Sequence, residues 1–176
     1  MKNNKGFTLV ELIVVLVILT ILAAILVPAM LGYISKARIM SANSAAEEVN
    51  KAIMIAGSEM MQHDFEVQNL SDSFPVAGAD FENYKNVKLS SLDKSDVEDM
   101  KKAVMHEIYV YFQEVTKLDS VSISVQESSV MGVGVMRNAY PGSFPIAIAP
   151  EDYKDENNKG KWDSELALDY ALGNIV

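Results

Sequence analysis

A single carboxylate, Glu11, stands in the stretch KGFTLVELIVVLVILTILAAILVPAM, from Lys5 to Met30, and no other charge lies between Lys5 and Lys36. At mid-bilayer a carboxylate costs about 2.5–3.5 kcal/mol on insertion scales, so an acid kept in such a run points to a partner. Elsewhere the residues that could do chemistry are poorly spaced for it. His106-Glu107 lacks the second His of a zinc-protease helix, and Gly132-Val133-Gly134 lacks the third Gly of a dinucleotide fingerprint. No G-x-S-x-G occurs. DENNKG, 155–160, has the acids of a calcium-loop start, but Lys159 and Leu166 stand where oxygen ligands are needed. A loose calcium loop around Asp152, Asp155 and Glu156 and a plain solvated loop are both open. No enzymatic role, cofactor or resident metal is expected.

The element that must carry Glu11 is the apolar run itself. Leu12 to Val27 is apolar except for Thr20, and with Phe7 to Val10 the run is long enough to span a bilayer as a helix, which needs ~20 residues. Lys2 and Lys5 precede it. A cleaved secretory signal would have this order of basic and apolar regions, but the run is longer than a usual signal core and no clean A-x-A site follows. A plain membrane anchor explains the length and leaves Glu11 a liability. A third reading gives Glu11 a task.

KGFTLVE followed by this apolar run resembles the processing site of type IV pilins and pseudopilins. The resemblance covers Lys5 to Pro28 closely and the helix beyond it loosely. It implies cleavage between Gly6 and Phe7 by a prepilin peptidase, with N-methylation of Phe7 as the new terminus. It also makes Glu11 the acidic residue used in assembly and Pro28 the proline late in the apolar helix. Glycine before the cut suits an enzyme that approaches the backbone closely. Four helical steps place Glu11 only ~6 Å below the new amine. In a filament, that amine on one subunit can meet Glu11 of another. Opposite charges in contact in a dry setting attract strongly, and either alone is costly. The pair would set the axial register. Pro28, lacking an N–H, is expected to kink the helix. The resemblance further implies self-association, an inner-membrane platform protein and an assembly ATPase. The precursor would be single-pass in the membrane with its head outside, later part of an extracellular pilus. Many pilins staple the C-terminal region with a disulfide, which this chain cannot do.

Past Pro28 the pattern turns amphipathic. Ala42, Ala45, Val49, Ala52, Ile53, Ala56 and Met60 recur at steps of three and four. This predicts one helix from about Phe7 to Met61, with Glu47 and Lys51 paired at i,i+4. Gln62 to Lys94 reads as irregular, with Phe65, Phe74, Phe81 and Tyr84 as core pegs, Pro75 and Gly78 as breakers and a short strand over 86–90. Ser95 and Glu98 read as a capping box opening a helix from Asp96 to Lys117. Three antiparallel strands follow: 121–126, one around Val133 and Val135, and 144–149, with Pro141-Gly142 as the last turn. DSELALDYALG reads as a short helix capped by Ser164 and ended by Gly173, or as a fourth strand.

The totals agree with this division. The chain has 176 residues, a formal charge of −9 and no cysteine. Disulfides and thiolate chemistry are excluded, and an acidic surface without Lys/Arg clusters opposes nucleic-acid binding. The expected fold is α+β: a long N-terminal helix with a hydrophobic first half, packed on an antiparallel sheet, with an additional helix. The expected parts are a leader 1–6, a transmembrane or filament-core helix 7–31, an amphipathic continuation 32–61 and a globular head 62–176. The expected function is a structural pilin precursor. A pseudopilin of a type II secretion or DNA-uptake system is the nearest alternative. A membrane-tethered extracellular binding or sensor domain is the alternative from another class.

Overall fold

The computed structural model describes residues 6–126, 129–154 and 160–174. The chain divides into two compact units, Met1–Ala37 and Arg38–Val176. Helix α1, Leu9–Gln62, contributes to both and runs without interruption through Pro28. Its bounds lie within two residues of the expected ones, because the apolar run and the amphipathic run share one helical period with no glycine-proline cluster between them. In the second unit α1 buries Ile39, Ala42, Ala45, Ala46, Val49, Ala52, Ile53, Ala56 and Met60. Lys51 bridges Glu47 and Glu48, both at 3.0 Å.

The sheet of the second unit has four antiparallel strands in sequence order. They are β1 Asp72–Ala77, β2 Ser120–Gln126, β3 Ser129–Arg137 and β4 Tyr140–Phe144. The period of two sorts the residues by face. Val121 opposite Val135 and Ile123 opposite Val133 point into the main core with Val49, Met100 and Ile108. Ser122 opposite Gly134 and Ser124 opposite Gly132 point the other way, toward helix α3, Ser164–Ala171. A Cβ on Gly134 would sit 2.2 Å from the Ser164 carbonyl oxygen, and one on Gly142 would sit 2.1 Å from the Ala42 carbonyl carbon. The two glycines therefore let α3 and α1 lie backbone-close on opposite faces. The Gly-Val-Gly of β3 is a packing feature.

Several expectations need correction. The first strand is Asp72–Ala77, and 86–90 holds no strand; Leu89–Ser91 is a single 3₁₀ turn. Phe74 and Val76 are buried in alternation with exposed Ser73, Pro75 and Ala77, a strand pattern that Pro75 obscures. Proline is tolerated there because β1 is an edge strand. The last hairpin turns at Asn138-Ala139, both with positive φ (52° and 65°) between the paired Arg137 and Tyr140. That is the two-residue primed turn whose twist matches the strands. The Ala139 N–H donates to Asp119 Oδ2 at 2.8 Å. Pro141 and Gly142 lie inside the edge strand β4, and 145–149 carries no strand.

Helix α2 spans Val97–Tyr111 and stops short of Lys117. Gln113–Lys117 is a 3₁₀ turn that keeps Val115 and Leu118 buried. Phe112, Val115 and Leu118 are spaced by three, the 3₁₀ period. The cap of α2 is Asp96, whose carboxylate accepts the Asp99 N–H at 3.0 Å, while Ser95 donates to Asp93. Glu98 pairs with Lys101, and Lys102 pairs with Asp99. Helix α3 takes Asp163 as its cap, one residue before the expected Ser164, with Gly173 (φ 74°) just past its end. Phe65, Phe74 and Phe81 are buried and Tyr84 packs partly buried on the core, as pegs. The α+β expectation holds, with four strands and a third helix.

Candidate functional site

From Gly6 to Leu31 every residue of the first unit is exposed. Phe7 is 85% exposed, and the large apolar side chains from Leu12 to Leu31 are each at least half exposed. Burying one such side chain is worth about 1.5–3 kcal/mol, so a surface of this kind is not stable against water and marks a contact with lipid or protein. The window of highest hydropathy in α1 averages 3.2 and is wholly unburied, long and apolar enough to cross a membrane. Two hydroxyls along this part of α1 are satisfied by the helix's own backbone. The Thr20 hydroxyl donates to the Leu16 carbonyl at 2.7 Å, and the Ser35 hydroxyl to the Leu31 carbonyl at 3.2 Å.

The start of α1 is built around Glu11. The Thr8 N–H donates to Glu11 Oε2 at 2.9 Å and its hydroxyl donates to the same oxygen at 2.7 Å. In return the Glu11 N–H donates to Thr8 Oγ1 at 3.2 Å. Thr8 and Glu11 are a reciprocal capping box, which satisfies donors that a helix start leaves unpaired. The T-x-x-E spacing was legible in the sequence, but the apolar surroundings drew attention to the charge alone. Among the described residues Glu11 Oε1 takes part in no hydrogen bond. Gly6 and Phe7 precede the helix as exposed, non-helical residues. Pro28 sits inside α1, where its missing N–H leaves the Ala24 carbonyl without the usual donor.

The other sequence candidates belong to the second unit. Asp152 accepts the Tyr170 hydroxyl at 2.6 Å, whereas Asp155 and Glu156 lie outside the described residues. His106 uses Nδ1 to donate to the Tyr84 carbonyl at 2.7 Å. Among the described residues no three His, Asp or Glu side chains are arranged to hold a metal ion.

Residues 1–27 match the family described as the prokaryotic N-terminal methylation motif. A fimbrial protein of Moraxella nonliquefaciens is 43% identical over 53 residues. The chain carries a prokaryotic N-terminal methylation motif. That alignment covers 30% of this chain and 34% of the Moraxella protein, so the likeness spans about a third of each. No solved structure matches the chain. The matched segment contains the capping box, Gly6-Phe7 and most of the exposed apolar helix. The second unit has its own core and carries no part of the motif.

Proposed function

We propose that this chain is a prepilin, cut between Gly6 and Phe7, N-methylated on Phe7 and polymerised into a surface filament. The observation that carries the proposal is the apolar helix that stays bare from Phe7 to Leu31 and begins in a box with one carboxylate oxygen unused. In this reading 1–6 is the leader, 7–31 the membrane-spanning and later filament-core segment, 32–61 the amphipathic continuation and 62–176 the head. Before assembly the bare helix resides in the membrane with the head outside. In the filament, helices of neighbouring copies replace the lipid. Partners are other copies of the chain, a prepilin peptidase, an inner-membrane platform protein and an assembly ATPase. The chain serves as a building unit rather than an enzyme.

The physical reason for the cut lies at Glu11. Removing the leader places a positive amine at the N-terminus of α1, where the helix dipole already disfavours positive charge. The amine is best neutralised by a carboxylate. Oε2 of Glu11 is held by Thr8, which fixes the side chain and leaves Oε1 to accept from the Phe7 amine of a neighbouring copy. Pro28 supplies a point of lower stiffness in the packed helix.

N-terminal sequencing and mass spectrometry of the protein from its native cells test the reading. A mature chain beginning at methylated Phe7 is expected. An intact Met1, or a start near Met30, would overturn it. Electron microscopy then separates a pilin from a pseudopilin: long surface fibres are expected, and their absence would favour the secretion-type alternative.

A further inference from the structure

The second unit holds a small core separate from its main one, and that core lies at the unit's first residues. Arg38 opens the unit, and next to it Ile39 is buried with Ile148 and Ala167. Tyr140, Tyr153, Trp162 and Tyr170 pack around these three, each partly buried. The main core buries phenylalanines, Phe65, Phe74 and Phe81; this one is rimmed by rings that carry a polar atom. Tyr140 and Tyr153 have centroids 5.4 Å apart, and Trp162 and Tyr170 6.2 Å apart. The exposed Arg38 guanidinium lies 5.3 Å from the Tyr140 ring centre. Among the described residues it has no carboxylate partner. The Tyr170 hydroxyl donates to Asp152 at 2.6 Å. Trp162 turns its one polar side-chain atom inward: Nε1 is buried and, among the described residues, has no acceptor. What the Trp162 side chain shows to the outside is therefore carbon.

We propose that Arg38 and this Tyr/Trp cluster form a lipid-binding foot of the second unit, seated in the headgroup layer while the chain is in the membrane. The proposal rests on the reading of 7–31 as a membrane-spanning segment. Tyr and Trp rings collect where hydrocarbon meets water at a membrane surface, because one part of each ring is apolar and another polar. The foot is tethered close to that surface. Only 32–37 separate Arg38 from Leu31, the end of the bare apolar run, about 10 Å of helix. Helical side chains lean toward the N-terminus, so Arg38 reaches back along this tether. Its planar fork of donors matches the oxygens of a lipid phosphate. Glu151, Asp152 and Asp163 stand in the same stretches of chain as the rings, and the formal charge is −9. The matching surface is therefore the phosphate and ester zone of zwitterionic lipid rather than a strongly anionic bilayer.

Trp162 is the chain's one tryptophan, so its fluorescence reports on this cluster alone. The test uses the full chain in phosphatidylcholine vesicles carrying a nitroxide quencher either near the headgroup or deep in the acyl chain. Flotation with the vesicles is measured first; a chain that stays behind would overturn the membrane reading and the foot with it. In the floated protein, headgroup-level quencher is expected to remove about half of the Trp162 emission or more, and deep quencher much less, since interfacial rings sit at headgroup level. Flotation without quenching would overturn the foot and leave the membrane reading standing. Emission that follows the protein-to-lipid ratio instead of the label would also overturn it, by showing that a second copy covers the cluster. Arg38→Glu is expected to float as the wild type does and to lose much of the quenching; unchanged quenching would overturn Arg38 as the phosphate partner. As a control, the Trp162→Phe, Tyr84→Trp double variant moves the reporter to the main core, where Tyr84 packs. Its emission is expected to ignore both labels, and equal quenching there would overturn a contact confined to the foot.

Discussion

Thr8 gives both its backbone N–H and its hydroxyl to one oxygen of Glu11, at 2.9 and 2.7 Å. The acid in the apolar run therefore has a local duty as a helix cap before any neighbouring copy arrives. The two duties, cap and charge, can be separated by substitution.

Glu11→Gln keeps a side chain that can serve the capping box and removes the charge. Glu11→Ala removes both. Both variants are expected to be cleaved at Gly6-Phe7 as the wild type is. If the charge drives assembly, both yield little polymer in a shear-and-sediment assay. Normal fibre yield from Glu11→Gln would sink the amine-pairing account and leave Glu11 as a cap.

Asn43 ties three backbone groups together in the head. Its Oδ1 accepts the Ser143 N–H at 3.0 Å and the Ile148 N–H at 3.2 Å, and its Nδ2 donates to the Ile148 carbonyl at 2.9 Å. Asn43→Ala leaves these part-buried groups unpaired. A loss of about 2–4 kcal/mol is expected in chemical denaturation, since each stranded group costs roughly 1–3 kcal/mol. A loss below about 1 kcal/mol would mean that water takes over the three bonds.

Gly142→Ala and Gly57→Ala should move stability in opposite directions. At Gly142 the added carbon meets the Ala42 and Asn43 backbone at 2.1–2.4 Å, which cannot give way as a side-chain tip could. At Gly57 nothing lies within 4 Å, and alanine is a better helix former by roughly 0.5–1 kcal/mol. The first variant is expected to unfold or melt far below the wild type. The second is expected to match it or exceed it.

Asp72 on edge strand β1 is held below the usual carboxylate range by its hydrogen bond from Lys101, with the Ser73 N–H adding to the effect. Lys101 also lies over the Phe74 ring at 5.5 Å. A depressed folded-state value gives stability that is present above the unfolded value and lost as pH falls through the folded one. Asp72→Asn is therefore expected to be less stable than the wild type at pH 7 and equal to it in strong acid. A gap unchanged across that range would show that the pair contributes nothing.

The N-terminal motif, the span of α1 and the existence of α2 were determined by sequence alone, because each rests on contacts within a few residues, whereas 163–173 was open between helix and strand until the structure showed α3. Spacing of three and four fixes a helical face wherever the chain later lies. Thr8 and Glu11 form their box across one turn, so that signature too was in the sequence, though overshadowed by the charge. The tertiary structure alone decided which strands pair and where they turn. Pro75 and Pro141 read as breakers until β1 and β4 proved to be edges, where a missing N–H costs no ladder bond. Pro141-Gly142 gave the stronger local turn signal, yet the hairpin turns at Asn138-Ala139. There the register of Val133 and Val135 on the core face and the close approach of Gly142 to Ala42 settle the pairing.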